Sequence, residues 1–181
     1  MSEPLNRPPV YAMTASLLMF AAGAVSGLVL SSFQDLFYDA ARREIIRRPE
    51  VHGFAGSEVI DQGRIAEVAD QANTALRLLH THTVGLGALI LLTTLIIANL
   101  PIASRWQSLL SVLVCLGAIY PLGWALLAWL IPITGVEPLR IVMEWLFFVP
   151  FGGSLIVGLL GAVIWLFLGW LRPSTTDRTS A

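Results

Sequence analysis

Long apolar stretches separated by shorter polar segments dominate the pattern along this chain of 181 residues. Each stretch offers roughly 20 apolar residues, the number that crosses about 30 Å of hydrocarbon at about 1.5 Å per residue. The apolar positions run continuously instead of alternating, which favours helices over the strands of a barrel. The pattern therefore predicts four membrane-spanning helices, at residues 11–33, 78–100, 108–131 and 150–171.

Most of the polarity lies between the first two spans, where residues 34–77 carry six arginines and eight acidic residues. Apolar residues at helical spacing continue from the first span until Pro49 and resume at Ile65. Residues 49–56 are rich in turn formers, so we expect helices 1 and 2 to extend beyond the bilayer as a hairpin. The expected fold is all-α: one membrane domain over 1–181, a four-helix bundle in up-down-up-down order, with a flexible tail at 172–181.

Composition agrees with a membrane protein, since 56% of the residues are hydrophobic and only 13% are charged. A soluble domain of this size cannot bury so many apolar residues, because folding still leaves a large surface exposed to water. The net charge of −1 gives no basic footprint, so we expect no nucleic-acid partner. The single cysteine, Cys115, lies in an apolar run and forms no internal disulfide. The expected surroundings are a lipid bilayer, with a homo-oligomer or a larger membrane complex as the assembly.

The charge distribution gives two opposing indications about orientation in a bacterial inner membrane. The six arginines of residues 34–77, taken alone, would place the hairpin in the cytoplasm. That segment is long and rich in acids, however, and long translocated segments follow the positive-inside rule less faithfully. We therefore favour both termini in the cytoplasm, on the basis of the arginines near the span ends on the opposite side: Arg7, Arg105, Arg172 and Arg178.

Glycine and proline residues mark special positions within the spans. Gly23 and Gly27 form a G-x-x-x-G pair in the first span, which allows another helix to approach closely. Pro121 and Pro150 each remove a backbone donor, so we expect a kink or a break in the third and fourth spans. Such kinks are usually tolerated by packed helices, and gating is the alternative.

Three side chains near these prolines are candidates for function. Glu144 either relays protons or pairs with Arg140 within the fourth span, or lies on a short interfacial helix if the true span begins at Pro150. Trp124 lies beside the expected Pro121 kink instead of at a span end, so it is a candidate for lining a cavity together with Tyr120.

Two of the three histidines, His80 and His82, lie at the start of the second span, where ionisable residues are costly and often functional. Residues two apart on a helix point about 160° away from each other, so the pair cannot hold one metal ion unless the helix unwinds. His80 shares its stripe with small and polar residues, which favours His80 as the inward-facing candidate for a metal or cofactor. If that cofactor is a flat macrocycle with propionate groups, Gly87 would leave space for the ring, and Arg77 would pair with a propionate.

The segment Arg77-Leu78-Leu79-His80-Thr81 resembles the second helix of the catalytic subunit of C-family haem–copper oxidases and nitric oxide reductases. In that family the histidine of this segment is an axial ligand of low-spin haem b, which implies the same role for His80. The likeness covers one helix, whereas the family has many more helices and takes a second histidine from a distant one. Neither the third nor the fourth span here contains a histidine. The chain as a whole resembles bacterial four-helix membrane proteins with a histidine in the second helix.

The sequence leaves three interpretations of the histidines open. Haem b would need a second ligand, from a symmetry mate or from Met13, Met19, Met143 or His52. Alternatively, both rings are hydrogen-bonded to carbonyls or threonines and carry no cofactor, or they bind copper or another metal. The corresponding functions are a b-haem or quinone-linked respiratory component with His80 as ligand, and a cofactor-free structural or assembly subunit of a larger membrane complex.

Overall fold

The computed structural model describes residues 5–171, and every regular element in that range is helical. A 3-10 turn, Gly117–Ile119, joins the fourth helix to the fifth, and a π-helical segment, Glu144–Gly152, joins the sixth to the seventh. The α-helices are α1 (Val10–Ser32), α2 (Gln34–Ile46), α3 (Glu58–Ala98), α4 (Ser104–Leu116), α5 (Tyr120–Thr134), α6 (Glu137–Met143) and α7 (Gly153–Trp170). The tail expected at 172–181 lies outside the described residues.

Four helical stretches are long and apolar enough to cross a membrane, which confirms the predicted number: Val10–Ser32, Glu58–Ala98, Ser104–Thr134 and Glu137–Gly169. The all-helical class is confirmed as well for the described part of the chain. The up-down-up-down order within a bilayer and the extension beyond it stay predictions.

A bend at Phe33 separates α1 from α2. The sequence had indicated one helix that continues from the first span into the hairpin. Phe33 has φ −128° and ψ 15°, outside the helical region. Just before it, the hydroxyl of Ser31 donates to the Leu28 carbonyl at 3.2 Å. Serine hydroxyls that bond back to the preceding turn compete with the helix ladder and favour bends. The bend allows α2 to pack against both α3 and α5.

The two membrane prolines are accommodated by changes of helix type. Pro121 occupies the first turn of α5, directly after the 3-10 turn, where a missing N–H costs little. Pro150 lies inside the π-helical segment, whose wider turns accommodate the lost hydrogen bond. The helical stretch therefore starts at Glu137 and runs on past Gly152 and Gly153 without the break that was the alternative to a kink. The start of the membrane span at residue 150 stays a prediction.

The hairpin turn between α2 and α3 is fastened to the end of α5 by a buried histidine. His52 is only 3% exposed, and its Nε2 donates to the Pro132 carbonyl at 3.0 Å. That carbonyl lies in the last turn of α5, where carbonyls lack partners within the helix. Arg64 of α3 donates to the backbone carbonyl of His52 at 3.2 Å, and Asp61 accepts two backbone N–H groups of the turn. The turn is thus an ordered part of the structure.

The centre of the fold is α3, which packs against α1, α2 and α5, while α4 packs against α7. One apolar core lies at the hairpin end, around Ile45, Ile65 and Ile131, and a second lies around Ile90 and Val114. Because α3 is covered by different helices on different faces, a residue on α3 is placed in a protein environment on more than one side. This arrangement decides the surroundings of both candidate histidines.

Candidate functional site

The two candidate histidines of α3 contact different neighbouring helices. His80 meets α1, whereas His82 meets α5. Both rings are half-buried. The helix is unbroken from Glu58 to Ala98, so the predicted divergence of the two side chains holds. The expectation that only one of them faces protein is wrong, because α3 is central and has a partner on each side.

His80 is bonded to the backbone of the G-x-x-x-G helix. Its Nδ1 donates to the Gly23 carbonyl at 2.9 Å. A Cβ atom at Gly27 would lie 2.8 Å from Cε1 and 3.7 Å from Nε2 of His80, so the ring lies directly over Gly27. A Cβ at Gly23 would lie 2.6 Å from Cγ2 of Val84. Both glycines therefore serve the close approach of α1 to α3 that the sequence predicted.

The neighbours of His80 do not provide the seat for a macrocycle that we expected from the sequence. A Cβ at Gly87 would lie 3.2 Å from the Ser16 carbonyl oxygen and 3.3 Å from Met19 and Phe20. The helix α1 thus fills the space beside Gly87, and the expectation of room there is wrong. Arg77 is exposed, and its pairing with a propionate stays a prediction.

Three of the expected second ligands of His80, namely His52, Met19 and Met143, have other contacts in the described chain. Nε2 of His52 is bonded to Pro132 at the hairpin, which excludes His52 as a partner in this conformation. Met19 packs beside Gly87, and Met143 is buried in the core near the hairpin. Within one described chain, the surroundings of His80 and Gly87 do not fit an axial ligand beside an open macrocycle seat. Residues 5–171 contain no group of three or more His, Cys, Asp or Glu side chains placed to hold a metal ion.

His82 belongs to an aromatic cluster that the sequence indicated only in part. Its ring stacks on Trp124, with centroids 5.8 Å apart and planes at 11°, and meets the edge of Tyr120 at 5.2 Å. Its Nδ1 donates to the Leu78 carbonyl of its own helix at 2.7 Å. Phe148 closes the cluster, 4.7 Å from Trp124 and 5.1 Å from Tyr120 between centroids. The structure thus brings His82 together with Tyr120 and Trp124, a connection that the sequence had not indicated.

Phe148 is the member of this cluster that sequence reasoning missed. It lies in the π-helical segment, and no motif distinguishes it from the neighbouring phenylalanine at position 147. A Cβ at Gly123 would lie 2.5 Å from Cε1 of Phe148, so Gly123 provides the space for this ring. Gly123, next to Trp124 in the sequence, was the one feature that could have indicated a large ring packed at this position. Nε1 of Trp124 is buried and has no hydrogen-bond partner in the described structure.

Glu144 does not join this cluster. It is exposed at the first position of the π-helical segment. The ion pairs formed by residues 5–171 do not include a pair between Glu144 and Arg140, which was one of the alternatives that the sequence left open. Both side chains point to the outside of the molecule, as their exposure shows. A role for Glu144 in proton relay stays a prediction.

The site as a whole is one helix, α3, with a polar contact on one face and an aromatic cluster on the other. Its histidines are held by backbone carbonyls, one from α1 and one from α3 itself. The resemblance of the segment around His80 to haem–copper oxidases stays a prediction. No protein-family model, curated protein or solved structure matches this chain.

Proposed function

We propose that this chain is a structural or assembly subunit of a larger complex in a bacterial inner membrane, without a cofactor of its own. The observation that carries the proposal is a pair of exposed apolar side chains at the start of α3: Val59 is 84% exposed and Ile60 is 61% exposed. Ile60 precedes the predicted start of the second span by 18 residues, or about 27 Å of helix. In this proposal both side chains lie in water, where large exposed apolar groups favour a protein partner.

The way the hairpin is fastened supports this proposal. His52 bonds the turn to the end of α5, and Arg64 bonds the turn to α3. On α2, the guanidinium of Arg42 donates to Gln62 of α3 at 2.8 Å. A segment that is held at three points presents its exposed residues in a fixed arrangement. Binding to such a segment costs less ordering entropy than binding to a loop.

The use of the polar residues within the spans also supports a structural role. His80 fastens α3 to α1, and His82 packs α3 against α5. In a membrane, hydrogen bonds and close packing, not hydrophobic burial, hold helices together. Each histidine therefore has a structural task that requires no cofactor. We place both termini in the cytoplasm, as the arginines near the span ends favour.

The test is the size of the native complex. We expect wild-type chain, extracted in a mild detergent from its own membrane, to migrate well above its own mass of 19.7 kDa. Replacing Val59 and Ile60 by serine should shift it to the size of the free chain, because the docking surface is lost. Ala66→Ser, at another exposed position of α3, is the matched control and should leave the complex intact. An unchanged complex in the double variant would contradict the proposal.

The alternative is a b-haem or quinone-linked respiratory component with His80 as ligand. One contact favours it: Nδ1 of His80 donates to a backbone carbonyl, as in many metal-bound histidines, and this leaves the Nε2 lone pair for a ligand bond. Protein purified from cells supplied with haem would then show a reducible Soret band. The band would be lost in His80→Ala and kept in His82→Ala. A colourless preparation rejects the haem version.

A further inference from the structure

An open groove of about 400 Å³ lies between α2 and α5, at the base of the hairpin. Its walls are mainly apolar: α2 contributes Phe37, Ala40 and Ala41, and α5 contributes Ala128, Trp129 and Ile133. The α5 residues that line the groove lie on either side of residue 131, the predicted end of the third span. The groove therefore lies where the apolar spans give way to the charged hairpin. Trp129 is 71% exposed there, and exposed tryptophans are typical of the headgroup level of a membrane.

Charge at the groove favours an anionic occupant. Residues 42–48 contain four arginines and one glutamate, a net charge of +3. Glu44 also lines the groove, but it accepts from Arg47 at 2.6 Å and from Arg48 at 2.8 Å, so its charge is already compensated. Arg43 lines the groove, is exposed, and takes part in none of the ion pairs formed by residues 5–171. A cation beside an apolar groove at the membrane surface matches the two parts of an anionic lipid.

We propose that the groove between α2 and α5 binds one anionic phospholipid, with an acyl chain against Phe37 and Trp129 and the phosphate at Arg43. The guanidinium fork suits a phosphate because two of its N–H groups can donate in parallel. The small side chains of Ala40, Ala41 and Ala128 provide the width for the acyl chain. The site goes beyond the proposed subunit role, since lipid binding requires no partner protein.

The test is retention of lipid by the full chain. The protein is reconstituted in vesicles with equal amounts of phosphatidylglycerol and phosphatidylcholine and extracted in a mild detergent. Bound lipid is then counted by native mass spectrometry. Wild type should retain one phosphatidylglycerol per chain with a preference of about fivefold over phosphatidylcholine, the factor that corresponds to about 1 kcal/mol per arginine at a membrane surface.

Two groove variants and one matched control sharpen the test. Arg43→Gln should abolish the preference, and Ala40→Phe should remove retention of both lipids, since the new ring fills the groove. Arg105→Gln makes the same charge change at an exposed position of α4, away from the groove, and should behave as wild type. Circular dichroism checks that all variants keep the helix content.

Three results would overturn the proposal. Equal retention of the two lipids by wild type would show that Arg43 does not select the headgroup. Unchanged selectivity in Arg43→Gln would place the lipid elsewhere. If Ala40→Phe instead dissociated a dimer while lipid retention stayed the same, the occupant would be a second copy of this chain. The retention assay uses purified chain, so its failure is distinguishable from failure of the complex-size test above.

Discussion

The two faces of α3 use the same residue type for opposite kinds of packing. On the α1 face, His80 lies over a glycine and donates to a backbone carbonyl, so the helices approach through their smallest residues. On the α5 face, His82 stacks on Trp124 within a cluster of large rings. The comparison shows that a histidine in a membrane helix takes its role from the helix that faces it. Five substitutions, from the largest expected effect to the smallest, test the difference.

The largest effect is expected at the α1 face from Gly23→Leu. Even a Cβ would lie 2.6 Å from Val84 and 3.2 Å from Oγ1 of Thr83, so α1 must move away from α3. We expect the free energy of unfolding, measured by denaturing-detergent titration in micelles, to fall by about 3 kcal/mol. Gly85→Leu on α3 is the control, because its Cβ position faces open space, with no other part of the described structure within 4 Å apart from its own helical turn. Equal losses of unfolding free energy in both variants would show that the close approach of α1 to α3 does not contribute to stability.

The corresponding change at the α5 face is Gly123→Ala. Its Cβ would lie 2.5 Å from Cε1 of Phe148 and 3.0 Å from Cβ of Phe147. The rings can shift more easily than a helix backbone, so we expect a loss of about 2 kcal/mol in the same titration. Gly153→Ala, with open space at its Cβ, should cost little. A change in tryptophan fluorescence should accompany Gly123→Ala, because the cluster around Trp124 is displaced.

Replacing each histidine by phenylalanine distinguishes the polar contact on the α1 face from the aromatic packing on the α5 face. His80→Phe loses the hydrogen bond to Gly23, and interhelical hydrogen bonds in membranes contribute about 0.6 to 2 kcal/mol. We therefore expect a loss of about 1 kcal/mol or more. His82→Phe keeps an aromatic ring against Trp124, so it should cost less than about 0.5 kcal/mol. The reverse order in unfolding measurements would refute the assignment of a polar face and an aromatic face.

The smallest effect is expected from Trp124→Phe. Nε1 of Trp124 is buried without a partner, and an unsatisfied donor of this kind is costly. Removing it offsets most of the packing lost with the larger ring, so we expect a net change within about 0.3 kcal/mol. Trp129→Phe is the matched control, since Trp129 is exposed and lies outside the cluster. A loss of several kcal/mol in Trp124→Phe would indicate a hydrogen-bond partner for its N–H.

Several features of the candidate site were predictable because they depend on local spacing. The divergence of His80 and His82 follows from the helical repeat, and the close approach at Gly23 and Gly27 follows from the G-x-x-x-G pair. The wrong prediction of space beside Gly87 rests on the same reasoning as the correct prediction at Gly23 and Gly27. A glycine on an inward face indicates a close neighbour, but not whether that neighbour is a cofactor or a helix. Here it is α1.

Other features depended on which elements meet in three dimensions. The bond between His52 and Pro132 joins residues 80 positions apart, and no local pattern contains it. The continuation of the helix through Pro150 was also hidden, because a switch to π-helical turns depends on the neighbours that support it. The sequence treated Pro150 and the following glycines as a break, which holds for a helix in isolation.

The sequence by itself determined the helical class of this protein and the number of its candidate membrane spans. Apolar runs of about 20 residues are long enough to cross a membrane, and a chain in a membrane must satisfy its backbone within helices or a closed barrel. Only the tertiary structure decided that α3 is the central helix and that both of its histidines meet protein. The physical reason is that lipid tails and apolar side chains are nearly equivalent surroundings. Hydrophobicity therefore does not tell which face of a spanning helix meets another helix.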